Sequence, residues 1–179
     1  MGVLMALIRV VPKSNLHNSW LAEKRSTPQE LMKEPFGYDG IPISVFNVTR
    51  GIEETKAVAA HYLTMFPSRP HPQNVWILRI ELHDLLALDI EVQETTGETG
   101  IADIDTKHRD LIGDQDKFKV LTQRLYDAIR CGEDRLRIVG PIQIMDQIQK
   151  FVALNGNEIS NDTKSLCQRL LSDSERRGT

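Results

Sequence analysis

A few residues stand out for the chemistry that their types and neighbours allow. Arg9 lies inside the apolar run ALIRVV. A guanidinium there is costly unless it pairs with an acid or reaches an anionic ligand, whose oxygens its planar fork matches. Glu133 follows Gly132, where the backbone can turn sharply, and precedes the alternating run RLRIVGPI. A carboxylate at the mouth of a strand can stand beside a developing positive charge and stabilise it, as carboxylates do in glycoside hydrolysis. The other reading of Glu133 is an ordinary solvated side chain at a strand start. The five histidines (His17, His61, His71, His83 and His108) fall on separate segments with no i, i+4 pair, so no metal site is expected. Asp103 and Asp105 have no third ligand nearby in sequence and read as solvated loop carboxylates. Cys131 and Cys167 lack the spacing of a zinc site or a redox dithiol and read as reduced thiols.

The elements that must position these groups can be read from periodicity. Val3 to Val11 is a continuous aliphatic run ended by Pro12, a buried first strand. Residues 13 to 42 form a polar stretch in which Thr27, Pro28 and Glu30 mark a short helix. Ile43, Val45 and Phe46 form a second strand, and a helix from Thr49 to Met65 follows, ended by Pro67. The segment SRPHPQ is a turn, and NVWILRIEL (74 to 82) is the clearest strand, with Trp76 in the core. A further strand is expected in HDLLALDIEV, and residues 93 to 114, polar and without periodicity, read as a long surface loop. Phe118, Leu121, Leu125 and Ile129 predict an amphipathic helix closing at Gly132. Residues 135 to 142 form a strand, and Gln147 to Leu154 a helix. The basic residues Arg124, Arg130, Arg135 and Arg137 read as a solvated face. The segment beyond residue 156 reads as a polar tail with a short helix. The mixed order of elements predicts an α+β fold of small, mostly antiparallel sheets that form a cleft, with flanking helices, over residues 1–156.

Composition narrows the function. The chain has 179 residues, 40% of them hydrophobic, enough for one domain with its own core. With 22 Lys and Arg against 25 Asp and Glu, a net charge of -3 gives no general attraction to nucleic acid or anionic lipid. The opening apolar stretch is shorter than the ~18 to 20 residues of a membrane span, and it lacks a basic leader region. Ala6 stands where a myristoylation signal needs Ser or Thr. These features predict a cytoplasmic protein with no membrane partner. Glycine-rich phosphate loops, HExxH, GxSxG and EF-hand patterns are missing from the sequence.

Four stretches together resemble the ADP-ribosyltransferase family over about residues 5 to 150: LIRVV (7 to 11), ISVFNVTRGIEETKAVAAHY (43 to 62), VWILRIELHDLLALD (75 to 89) and GEDRLRIVGPIQIMDQI (132 to 148). In that family the first strand supplies an Arg or His to NAD, the second a Ser or Thr, and a late strand a catalytic Glu. The resemblance implies NAD as substrate, held by Arg9, Ser44, Asn47 and Thr49, with Glu133 as the catalytic carboxylate. Read from the residues alone, Ser44, Asn47 and Thr49 are turn or helix-capping residues, Thr49 capping the helix that begins near Gly51. Cys131 stands where the class that modifies arginine carries Gln or Glu, so the implied acceptor is another protein or nucleic-acid group. The small one-domain form resembles toxin and effector members, which implies an antitoxin or immunity partner. An NAD glycohydrolase or phosphorylase on the same scaffold and a non-catalytic interaction domain are the alternatives.

Overall fold

The computed structural model describes residues 5–11, 43–49, 51–64 and 74–177. The elements expected around Thr27 to Glu30 and at SRPHPQ lie outside the described residues. Six strands, β1 (Met5–Val11), β2 (Ile43–Thr49), β3 (Val75–Ile80), β4 (Glu91–Glu94), β5 (His108–Ile112) and β6 (Leu136–Val139), form one sheet in the order β4-β5-β2-β1-β3-β6. Every neighbouring pair is antiparallel. Among the described residues six helices accompany them: α1 (Ile52–Thr64), α2 (Leu82–Leu86), α3 (Ala102–Asp105), α4 (Gln115–Arg130), α5 (Pro141–Val152) and α6 (Asn161–Arg177).

Both faces of the sheet are covered. Leu7, Val11, Val45, Trp76 and Leu78 meet Phe118, Leu121 and Leu125 of α4 on one side. Ile8, Val48, Ile77 and Val139 meet Val58 of α1, Ile144 and Ile148 of α5 and Cys167 of α6 on the other. A strand buried on both faces needs apolar residues at odd and even positions alike, which is why β1 and β3 read as unbroken aliphatic runs. Each fully buried Leu or Ile contributes about 1.5–3 kcal/mol, so Leu121→Ala, which also leaves a cavity, should cost about 2–5 kcal/mol.

Local chemistry sets the helix ends. Asp114 caps α4 by accepting from the Lys117 amide at 2.8 Å, and Gly132 ends that turn with φ +87°. Pro141 opens α5, and Gln143 Oε1 accepts from the Gly140 amide at 3.1 Å.

Four expectations need correction. The small sheets of the sequence reading are, among the described residues, one six-stranded sheet. Residues 82–86 form a helix, α2, where a strand was expected; its first turn is closed by the Asp84 side chain on the Glu81 amide. The long loop of 93–114 contains the end of β4, α3 and β5. Beyond residue 156 the chain forms the 17-residue helix α6, whose Cys167 is fully buried; burial pushes that thiol up to about 11 and leaves it unreactive.

Candidate ligand cavity beside Arg9

The β1–β2 ladder runs from Met5↔Thr49 to Ile8↔Phe46. Just past its end the Arg9 guanidinium donates from Nη1 to the Ser44 carbonyl at 2.7 Å. There the sheet and α1 enclose a cavity of about 260 Å³. β1 contributes Arg9 and Val10, and β2 contributes Ser44 and Phe46. Val58, His61 and Tyr62 come from α1, His108 from β5, and Glu98 and Thr99 from the connection after β4.

Burial governs the charges here. It pulls the Arg9 guanidinium down to about 10, against the opposing pull of Tyr62. It also pulls His61 down to about 4, with Asp105 acting the other way, so His61 is neutral near pH 7. His108 is held differently. Its Nδ1 lies 2.8 Å from the Thr95 hydroxyl, its Nε2 3.9 Å from Asp110 Oδ1, and its ring meets Phe46 edge-on at 5.5 Å between centroids. Ser44 Oγ donates to the same Asp110 oxygen at 3.4 Å.

The backbone around Glu98 is pinned on both sides. The Gly97 amide donates to the Asp105 carbonyl at 3.2 Å, the Thr99 amide to Asp105 Oδ1 at 2.6 Å, and the Ser160 amide to the Gly100 carbonyl at 2.7 Å. Gly100 has φ +73°, and a Cβ there would collide with the Thr163 and Ser160 hydroxyls. Among the described residues the Glu98 carboxylate makes no hydrogen bond or ion pair, and it is exposed at the cavity wall.

Of the residues singled out in the sequence, the structure brings Arg9 and Ser44 together. Asn47 points to the opposite face of β2 from Ser44 and Phe46, into a smaller cavity of about 150 Å³ with Leu7, Val92 and Arg109. Thr49 is the last residue of β2, paired with Met5. Glu133 lies in the turn between α4 and β6, beyond β3 from the cavity, with Oε2 2.9 Å from Arg135 Nε. Arg135 is itself buried, against the expectation of a solvated face. Its Nη1 donates to Asp84 Oδ2 at 3.0 Å and lies 3.9 Å from Glu81 Oε1. Arg79 extends the cluster: its Nη1 donates to Asp134 at 3.1 Å, while its Nε sits 3.0 Å from Glu81 at an angle too poor for a hydrogen bond.

Comparison with known protein families, curated proteins and solved structures finds no match. The site therefore rests on its own geometry. Among the described residues, no group of three or more His, Cys, Asp or Glu could hold a metal ion, and no helix is long and apolar enough to cross a membrane. Sequence reading missed His61, Tyr62, Glu98, Thr99 and His108. The spacing Gly97-Glu98-Thr99-Gly100 was the available signal for Glu98, since two glycines around one acid mark a fixed turn. Nothing local marked His108, because Phe46↔His108 pairing brings it to the cavity.

Proposed function

We propose that the chain binds NAD in the cavity beside Arg9 and transfers ADP-ribose to a macromolecular acceptor. The observation that carries this reading is the meeting of Arg9 from the first strand with Ser44 from the second at one cavity, 2.7 Å apart through the Ser44 carbonyl. A guanidinium fork binds two oxygens of a diphosphate, and an anion there would offset the burial that lowers the Arg9 pKa. Phe46 and Tyr62 offer ring surface to a nicotinamide or ribose. The volume, about 260 Å³, is below the ~300–1,000 Å³ of sites that enclose a drug-sized ligand, so it suits one end of NAD.

Cleavage of the nicotinamide glycosidic bond builds oxocarbenium charge on the ribose, and a carboxylate beside it stabilises the transition state. Among the described residues the carboxylate that lines this cavity is Glu98, whose backbone is fixed and whose side chain makes no hydrogen bond or ion pair; Glu133 is engaged by Arg135 elsewhere. The carboxylate role proposed here therefore goes to Glu98. An antitoxin partner and a cytoplasmic place of action belong to the same proposal.

The test is calorimetric titration of the chain with NAD, together with nicotinamide release in the presence of a cell lysate and NAD labelled in its adenylate part. Label on protein or nucleic acid supports transfer, and label only in free ADP-ribose supports the glycohydrolase. The position of Glu133 outside the cavity favours a second reading, a non-catalytic interaction domain. Binding of NAD without nicotinamide release, or no binding at all, would establish that reading against ours.

A further inference from the structure

We propose that His108 accepts the proton of the attacking nucleophile at this cavity. The assignment rests on the NAD reading and adds to it the step that the reading leaves open. In the transfer, a hydroxyl, amine or water X–H attacks the ribose carbon. The X–C bond forms as the C–N bond to nicotinamide breaks, the bond pair leaves with nicotinamide, and the proton of X–H goes to an acceptor on the protein.

Among the described residues two imidazoles line the cavity, and they are not equivalent. His61 is 4% exposed on the inner side of α1. A proton there would be buried with its charge, so His61 is a poor acceptor. His108 lies on β5 with the arrangement a proton acceptor needs: a hydroxyl at one ring nitrogen and a carboxylate near the other. In the tautomer whose Nδ1–H donates to the Thr95 oxygen, 2.8 Å away, the lone pair rests on Nε2. Once Nε2 takes a proton, the Asp110 carboxylate 3.9 Å away stabilises the imidazolium. The Ser44 hydroxyl, by donating to Asp110 Oδ1, holds that carboxylate in place. Phe46 fixes the ring edge-on from β2. Among the described residues, the charged and titratable groups facing this corner are Asp110 on β5, Asp105 on α3, Glu98 on the connecting turn, Arg9 on β1, and His61 and Tyr62 on α1.

The experiment measures NAD affinity and nicotinamide release, and label transfer in lysate, against pH for wild type, His108→Gln and His108→Ala. The glutamine side chain can keep a hydrogen bond to Thr95 and cannot take a proton near neutrality. His108→Gln should bind NAD within about threefold of wild type while turnover falls about 10²–10⁴-fold, the usual contribution of a general base. The wild-type rate should rise with pH along a limb that the variant loses. Imidazole added to His108→Ala should restore part of the rate, which a merely structural histidine would not allow. If His108→Ala does not fold, the missing pH limb in His108→Gln decides. A His108→Gln enzyme as fast as wild type, or one whose rate and NAD affinity fall by the same factor, overturns the assignment and leaves the NAD reading standing. A folded wild type that neither binds NAD nor releases nicotinamide overturns the NAD reading, and the proton acceptor falls with it.

Discussion

Two arginines, Arg135 buried and Arg9 half-buried, meet very different surroundings. Arg135, just before the edge strand β6, is 6% exposed and lies among Asp84, Glu133 and Glu81. Its charge is answered by carboxylates of this chain, and the void beside the cluster, about 20 Å³, has room for one water molecule and little more. Arg9, on an inner strand, is fixed by a backbone carbonyl, is pulled down to about 10 by burial, and borders a cavity roughly ten times larger. Burial of a guanidinium is thus no guide to its task. The guide is whether space remains for a ligand beside it. On that criterion we propose that Arg135 with Glu133 is a structural cluster and that Arg9 with Glu98 and His108 forms the site.

The sharpest way to break this comparison is Arg135→Ala. It leaves the buried Asp84 without the cation hydrogen-bonded to it, while Glu81 keeps Arg79 at 3.0 Å; removal of one partner from a buried pair costs about 3–5 kcal/mol, so the thermal midpoint should fall by about 10 °C. NAD affinity of the folded protein should not change. A variant as stable as wild type would show that the carboxylates have no need of Arg135.

Next in size is the contrast of two glutamates. Glu98→Gln should slow nicotinamide release about 10²–10³-fold, the scale of losing one preorganised electrostatic contact. Glu133→Gln, half exposed and set on Arg135, should leave the rate intact and cost about 1 kcal/mol of stability or less. If Glu133→Gln is the slow variant, the two regions exchange their roles.

How far the sequence foretells this arrangement depends on where apolar residues fall. β1 and β3 are legible because helices cover both faces of the sheet there, β6 because RLRIV alternates charged and apolar residues, and Arg9 because it interrupts an apolar run. β4 and β5 are not: EVQE is an edge strand with exposed acids, and in HRDLI only Leu111 is fully buried. With those strands hidden, the cavity was hidden too, since His108 reaches Phe46 only through β2–β5 pairing. The turn at Gly132 was read correctly, as its positive φ attests. Its neighbour Arg135 could not be paired from sequence, because Asp84 lies 51 residues away.

Acid should act on the cavity side through His61. Its imidazole goes from an ordinary 6.5 to about 4 on folding because it is buried. Above pH 6.5 both folded and unfolded chains hold it neutral. As pH falls from 6.5 towards 4, the unfolded chain takes up a proton that the folded chain resists. Stability is therefore lost in that window, by about 3 kcal/mol in all. Urea midpoints at pH 7 and pH 4 should differ more for wild type than for His61→Gln. Equal differences would mean that His61 titrates as freely in the folded chain as in the unfolded one.

The smallest expected effect decides what Arg9 is for. A ligand-binding guanidinium and a structural one respond oppositely to replacement. If Arg9 serves the fold as Arg135 does, Arg9→Ala should destabilise by several kcal/mol. If it is kept for an anion, removal of a poorly solvated charge should offset much of the lost contact with the Ser44 carbonyl, and the fold should change by about 1 kcal/mol or less. NAD affinity should then fall by about 1.5–3 kcal/mol, the value of a hydrogen bond to a charged group, or roughly 10- to 150-fold in Kd. Arg9→Lys keeps the charge but loses the fork, so it should recover only part of that affinity. Paired urea denaturation and NAD titration of both variants separate the cases. A large loss of stability with unchanged NAD affinity would place Arg9 beside Arg135 as a structural residue and remove the basis for the cavity as an NAD site.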